Sequence, residues 1–218
     1  MEIKEHWEKV YRQKPIDQLG WWEEDPSASL QLIQRCELPL QGHILDIGCG
    51  ASTLADRLLE MGYTRLTLVD ISQTALDTLK KRLVIPEGAT VKFIQDDITQ
   101  PEAVWNIPEI DLWHDRAVLH FLVDETDRQM YRKVLHHRVR DGGYVCIAAF
   151  SLEGAKKCSG LPVKNYSAQT LAEFLGNTFR LLEWFPYVYY QPSGNPRPYV
   201  YTLFQRIPGK QKTENTVD

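Results

Sequence analysis

The stretch "HILDIGCGAST", His43–Thr53, sets a short apolar run, an aspartate and two closely spaced glycines in front of a helical pattern, "STLADRLLEMG". That order reads as a buried strand, a tight turn and a helix. The G-x-G of Gly48, Cys49 and Gly50 suits a strand-to-helix turn whose backbone comes close to a ligand. The third glycine of the dinucleotide fingerprint is absent, with Thr53 in its place. The glycines alone leave a dinucleotide and other ligands equally open.

Two aspartates narrow the choice. Asp70 ends the next strand, "RLTLVDI", where a carboxylate can take both hydroxyls of a ribose. Asp46, just ahead of the glycines, would repel a pyrophosphate drawn to the helix N-terminus and would attract an ammonium group. Asp46 could instead simply organise the turn through backbone amides, but the second acid at Asp70 then goes unexplained. A ligand with a ribose, an amino-acid ammonium and no phosphate fits both acids, and S-adenosylmethionine is such a ligand. In "FIQDDIT", Asp97 ends a third strand and Ile98 follows, placed for an adenine amine and for packing on the ring face. Asp96 and Asp97 are also good strand-end turn formers.

Outward from this core, strands and helices alternate. "ATVKFIQDD" and "EIDLWHD" read as strands, residues 125–138 as a helix closed by "DGG", and "YVCIAAF" as a fifth apolar strand. Ser72 is placed to cap the helix "SQTALDTLKKRL". Strands joined by helices imply a parallel sheet with helices on both faces. After the helix "SAQTLAEFLG", two long aromatic strands, "FRLLEWFPYVYY" and "RPYVYTLFQR", flank the turn "QPSGNP" and predict an antiparallel hairpin. The expected architecture is an α/β Rossmann-like sheet of seven mostly parallel strands, in one domain over residues 1–207. Residues 1–36 would form two helices acting as a lid, with a disordered tail over 208–218.

With a formal net charge of −4, the chain gives no electrostatic reason to expect nucleic acid or an anionic membrane as partner. No apolar run reaches membrane-spanning length, and "MEIKEHWEKVYRQK" is too charged for a signal peptide. The cysteines, Cys36, Cys49, Cys146 and Cys158, lack metal-ligand spacing. A cytoplasmic protein with reduced thiols and no metal is expected, as a monomer or homodimer.

The succession "HILDIGCGAST", "LVDIS", "FIQDDIT", "IDLWHDRAVLHFL" and "RDGGYVCIAAF" resembles the class I S-adenosylmethionine-dependent methyltransferases over nearly the whole chain. The W-x-K-x-Y of Trp7, Lys9 and Tyr11, with "WHDRAVLHFL" and "KCSGLPV", is similar to a group of small bacterial members. The resemblance implies that Gly48, Cys49 and Gly50 line the cofactor, Asp46 serves its methionine part and Asp70 its ribose, and Asp97 and Ile98 flank the adenine. Ser52, Ile71 and His114 complete that set, with Trp7 and Tyr11 closing over the methionine end.

The methyl acceptor is harder to read, because an in-line displacement needs alignment more than a dedicated base. An [ND]PP[YF] motif is absent after the fourth strand, which argues against adenine or glutamine amides as acceptors. "HDRA" within Trp113–Leu122 resembles the "WDRGA" of thiopurine-type S-methyltransferases. His114 or Asp115 could remove an acceptor's proton, and Arg116 could clamp an acceptor carboxylate or lower a thiol's pKa. Alternatively Asp115 and Arg116 pair with each other and cap the next helix, and His120 only packs. Trp22 and Cys158 are candidate acceptor contacts, Trp21 reads as core packing, and Tyr189, Tyr190 and Arg197 of the hairpin stand within possible reach. A small-molecule acceptor, such as a thiol, is the leading expectation. A protein lysine is the alternative, and a nucleotide-binding module without catalysis a third.

Overall fold

The computed structural model describes residues 2–209. Seven strands form one sheet: β1 (His43–Ile47), β2 (Arg65–Asp70), β3 (Thr90–Gln95), β4 (Ile110–Arg116), β5 (Val139–Phe150), β8 (Phe179–Tyr190) and β9 (Pro196–Arg206). Their order is β3-β2-β1-β4-β5-β9-β8. The first five run parallel, and β9 pairs antiparallel with both β5 and β8, as the aromatic hairpin predicts.

Alternation along β1 sorts the two faces. Ile44 belongs to the apolar layer with Leu32 and Ile33 of α2 (Ser27–Arg35), Leu58 of α3 (Leu54–Glu60) and Leu79 of α4 (Gln73–Arg82). Leu45 and Ile47 face the opposite layer, with Tyr131 and Leu135 of α5 (Glu125–Arg138) and Leu171 of α6 (Ala168–Leu175). The polar residue of β1, Asp46, therefore sits near its C-terminal end on the α2–α4 face. That end of a parallel sheet is where ligands collect. Ser72 caps α4 as expected, its hydroxyl accepting from the Ala75 amide at 3.2 Å.

Two features depart from expectation. The "DGG" after α5 is not a turn: β5 begins at Val139 and runs through it, with a register shift against β4 between Ile110 and Leu112. Gly142 at φ +75° supplies the left-handed residue such an irregularity needs. In the loop after β5, β6 (Lys157–Cys158) and β7 (Leu161–Pro162) form a small hairpin. Its two-residue turn is Ser159-Gly160, both at positive φ, as a type I′ turn requires. The tail expected over 208–218 lies outside the described residues from 210 onward, and Gly209 donates its amide to Asp141 at 3.2 Å.

The N-terminal helix α1 (Ile3–Gln13) lies on the tip of α4. Glu8 fixes it there. Its carboxylate is buried and accepts from the Gln73 amide at 2.6 Å and from the Thr74 hydroxyl, at the positive end of α4. These bonds pull its carboxyl below the usual range although burial pushes the other way.

Candidate active site

The ends of β1, β2 and β4 open onto a cavity of about 340 Å³, and a smaller one of about 50 Å³ adjoins it. Gly48, Trp21 and Arg116 line both. The turn after β1 needs its glycines. Gly48 sits at φ +65° and Gly50 at φ +53°, and a Cβ on Gly48 would meet Val118 Cγ2 at 2.0 Å. A Cβ on Gly50 would meet the Tyr11 hydroxyl at 2.5 Å, so backbone and aromatic ring are in close approach. Arg82 of α4 braces the turn, donating to the carbonyls of Ala51 at 3.0 Å and Ser52 at 2.5 Å.

Asp70, at the tip of β2, lines the larger cavity and is buried. Its two oxygens accept from the amides of Gly50 and Ser72, each at 2.8 Å. Burial raises its pKa to about 6, against the pull of those amides. Ile71, Asp97, Ile98, Trp7 and Tyr11 line the same cavity. Asp97 also holds its own turn, accepting from the Thr99 amide at 2.8 Å and hydroxyl at 2.7 Å. Asp96 is a turn former too: it accepts from the amides of Asp97, Glu102 and Val104.

Asp46, Cys49, Ser52, His114 and Trp22 line the smaller cavity. His114 Nδ1 donates to Asp46 Oδ1 at 2.7 Å, and the Ser29 hydroxyl meets its Nε2 at 2.9 Å. With both ring nitrogens engaged and the residue 3% exposed, His114 is not free to take an acceptor's proton. It serves instead to orient Asp46.

Asp115 is a correction of a different kind. It lines neither cavity and is fully buried on the α5 side of β4. Its carboxylate accepts from the Tyr131 hydroxyl at 2.7 Å and from the amides of Val118 and Leu119 at 2.8 and 3.0 Å. Burial raises its pKa to about 6. It holds the turn at Ala117, whose φ of +72° is strained for a residue with a side chain. That turn sets Val118 over Gly48, so Asp115 shapes the site from behind without reaching it.

Arg116 does not pair with Asp115 either. Its Nη2 lies 2.8 Å from Glu23 Oε1, its Nε donates to the Tyr201 hydroxyl at 3.0 Å and its Nη1 to the Trp21 carbonyl at 2.9 Å. The rings of Tyr189 and Tyr199 stand 5.2 Å from its guanidinium carbon. Cys158 and Tyr199 line the larger cavity beside it, and burial raises the Cys158 thiol, which stays protonated. Tyr189, Tyr190 and Arg197 line neither cavity. Trp21, read as core packing, is a cavity wall, edge-on to Trp7 and Tyr11. His120 is buried as expected, packed on Phe121 and Phe150 and held at about 3 by burial and by Arg116.

Glu8, Glu23, Phe121, Leu161 and Tyr199 are the contributors that sequence reasoning missed. The only local signal among them is the S-G turn that creates the β6–β7 hairpin. The chemistry of the donor set is compatible with S-adenosylmethionine: a buried carboxylate that could accept from hydroxyls, isoleucines that could pack on a flat ring, a glycine turn and an acid that could face an ammonium group. Among the described residues, no cluster of side chains could hold a metal ion, and no helix is long and apolar enough to cross a membrane.

Residues 44–143 match a family model described as a methyltransferase domain. The eEF1A lysine and N-terminal methyltransferase of Danio rerio is 26% identical over 147 residues, 66% of this chain but 21% of that protein. The chain thus spans about a fifth of the length of this relative. An S-adenosylmethionine-dependent methyltransferase of Anabaena variabilis superposes with a TM-score of 0.73 at 14% identity, over 94% of this chain and 96% of that one. The 1,6-didemethyltoxoflavin-N1-methyltransferase of Burkholderia thailandensis, solved with S-adenosylhomocysteine, gives 0.64 at 18% identity over 91% and 81%. Residues 44–143 thus match a methyltransferase domain, and more than nine-tenths of the chain shares the fold of solved S-adenosylmethionine-dependent methyltransferases.

Proposed function

We propose that the protein transfers a methyl group from S-adenosylmethionine to a small-molecule acceptor with a soft nucleophile such as a thiol. The observation that carries this proposal is the aromatic end of the larger cavity. There Trp7, Trp21, Phe121 and Tyr199 face the β6–β7 hairpin, enclosing space suited to a small molecule. When bound, the cofactor supplies an electrophilic methyl: the acceptor's electron pair forms the new bond as the methyl–sulfonium bond breaks, and the acceptor's proton passes to solvent.

The chain's own residues bind and orient. Asp70 would accept from the ribose hydroxyls, Ile71 and Ile98 would pack on the adenine, and Asp97 would stand near its amine. Asp46, fixed by His114, would face the ammonium group, with Gly48, Cys49, Gly50 and Ser52 along the methionine chain. Trp7 and Tyr11 would exclude water and offer ring faces to the sulfonium charge. Since His114 and Asp115 are spent on other partners, alignment rather than proton removal is the chain's contribution.

Calorimetric titration with S-adenosylmethionine tests the donor half; absence of binding would sink it, as would tighter binding of NAD. A protein lysine acceptor is a second reading, favoured by the similarity to the Danio rerio enzyme. Lysate incubated with labelled cofactor, then split into protein and small-molecule fractions, decides between them. Label confined to protein would overturn the small-molecule proposal.

A further inference from the structure

Arg116 is the only base among the described residues lining the larger cavity, against five aspartates: Asp70, Asp96, Asp97, Asp124 and Asp127. A guanidinium in a cavity wall is ordinarily a ready clamp for a carboxylate or phosphate. Here Nε and Nη1 donate to Tyr201 and the Trp21 carbonyl, while Nη2, which makes no hydrogen bond among the described residues, is ion-paired with Glu23. Two tyrosine rings lie against it. The Arg116 and Glu23 side chains are 12% and 9% exposed, so their charges cancel in a region where water screens little. An anion brought to Arg116 would have to displace Glu23 or lie beside it, like charge against like charge. The Cys158 thiol and the Tyr199 hydroxyl at this end are neutral, and the remaining walls are the aromatic and aliphatic faces of Trp7, Trp21, Phe121, Leu161 and Pro162.

We infer that the acceptor carries no negative charge, and that the Glu23–Arg116 pair is the specificity device that excludes carboxylates and phosphates from this end of the cavity. Arg116 acts as a positioning residue: it ties Trp21 and the hairpin tyrosines into one wall, with its charge balanced by Glu23. This inference rests on the methyl-transfer reading and names the acceptor class for the same site.

The test is equilibrium binding to the full chain loaded with S-adenosylhomocysteine, by calorimetry at pH 7. The probes are phenylmethanethiol and its carboxylated analogue, 4-(mercaptomethyl)benzoic acid. The neutral thiol should bind at least about tenfold more tightly. Glu23→Gln, which releases the Arg116 charge, should narrow that ratio by improving the carboxylate. Equal or tighter binding of the carboxylate by the unaltered protein, or binding of neither probe, overturns the inference. The unaltered protein decides this even where Glu23→Gln fails to fold, and circular dichroism identifies that case. No turnover occurs in these titrations, so a lack of methyl transfer to phenylmethanethiol in a separate assay counts against the proposed reaction and not against the measured selectivity.

Discussion

The two walls of the larger cavity are built by different means. One wall is the end of the sheet: the tips of β1 and β2 with their glycine turn, Asp70 and the isoleucines, set by backbone geometry and strand order. The other is a cover drawn from distant segments: α1, Trp21, Phe121, the β6–β7 hairpin and Tyr199, joined by the Arg116–Glu23 pair and by Glu8. The first wall depends on local conformation. The second depends on a few buried polar contacts, and substitutions should separate the two.

The largest effect should come from Arg116→Ala. It strips Glu23 of its partner in a buried setting, which costs about 3–5 kcal/mol, read as a shift of the urea unfolding curve. A change too small to measure would mean that the cover does not hang on this pair. Next, Asp70→Asn should weaken S-adenosylmethionine binding about a hundredfold, since charge-assisted hydrogen bonds are lost, with calorimetry as the measurement. Binding within a factor of two would break the assignment of that wall to the cofactor.

Asp115→Asn should cost about 1–3 kcal/mol of stability and leave cofactor affinity within about threefold, because the residue supports the site from behind. Lost methyl transfer at unchanged stability would restore it as a catalytic group. The smallest effect is the pH response. Burial holds Asp70 and Asp115 each at about 6, above an ordinary 3.8, so both favour the neutral form when folded. Their contribution to stability is full below 3.8 and is lost as the pH rises through about 6. Cofactor binding should run the opposite way, since an ionised Asp70 is the better acceptor, and affinity should fall up to about tenfold between pH 6 and 5. In Asp70→Asn that slope should vanish, while in Asp115→Asn it should remain.

The same division explains what the sequence made legible. Asp46, Gly48, Gly50, Asp70 and Ile98 sit at successive strand tips, so strand order alone assigns their places. The "DGG" was misread because two glycines signal a turn and an irregular strand equally well, and only the pairing of β5 with β4 distinguishes them. Glu23 lies in an acidic run, "EED", that reads as solvated surface. Its partner is decided by the docking of a segment far away in the chain. His114 and Asp115 look alike as candidate bases on paper. Strand alternation sends them to opposite faces of β4, one beside Asp46 and the other beneath Tyr131.

Helix α1, clasped by Glu8, has a practical bearing on any handling of the protein. A tag fused ahead of Ile3 would hang at the rim of the binding cavity rather than off an inert terminus. Trimming the chain back to Lys14 would leave every strand of the sheet in place while deleting Ile3, Trp7 and Tyr11 from the pocket at one stroke. Such a product would pass a test of folding and fail a test of binding, so an inactive preparation should be checked for an intact N-terminus before its substrate is doubted.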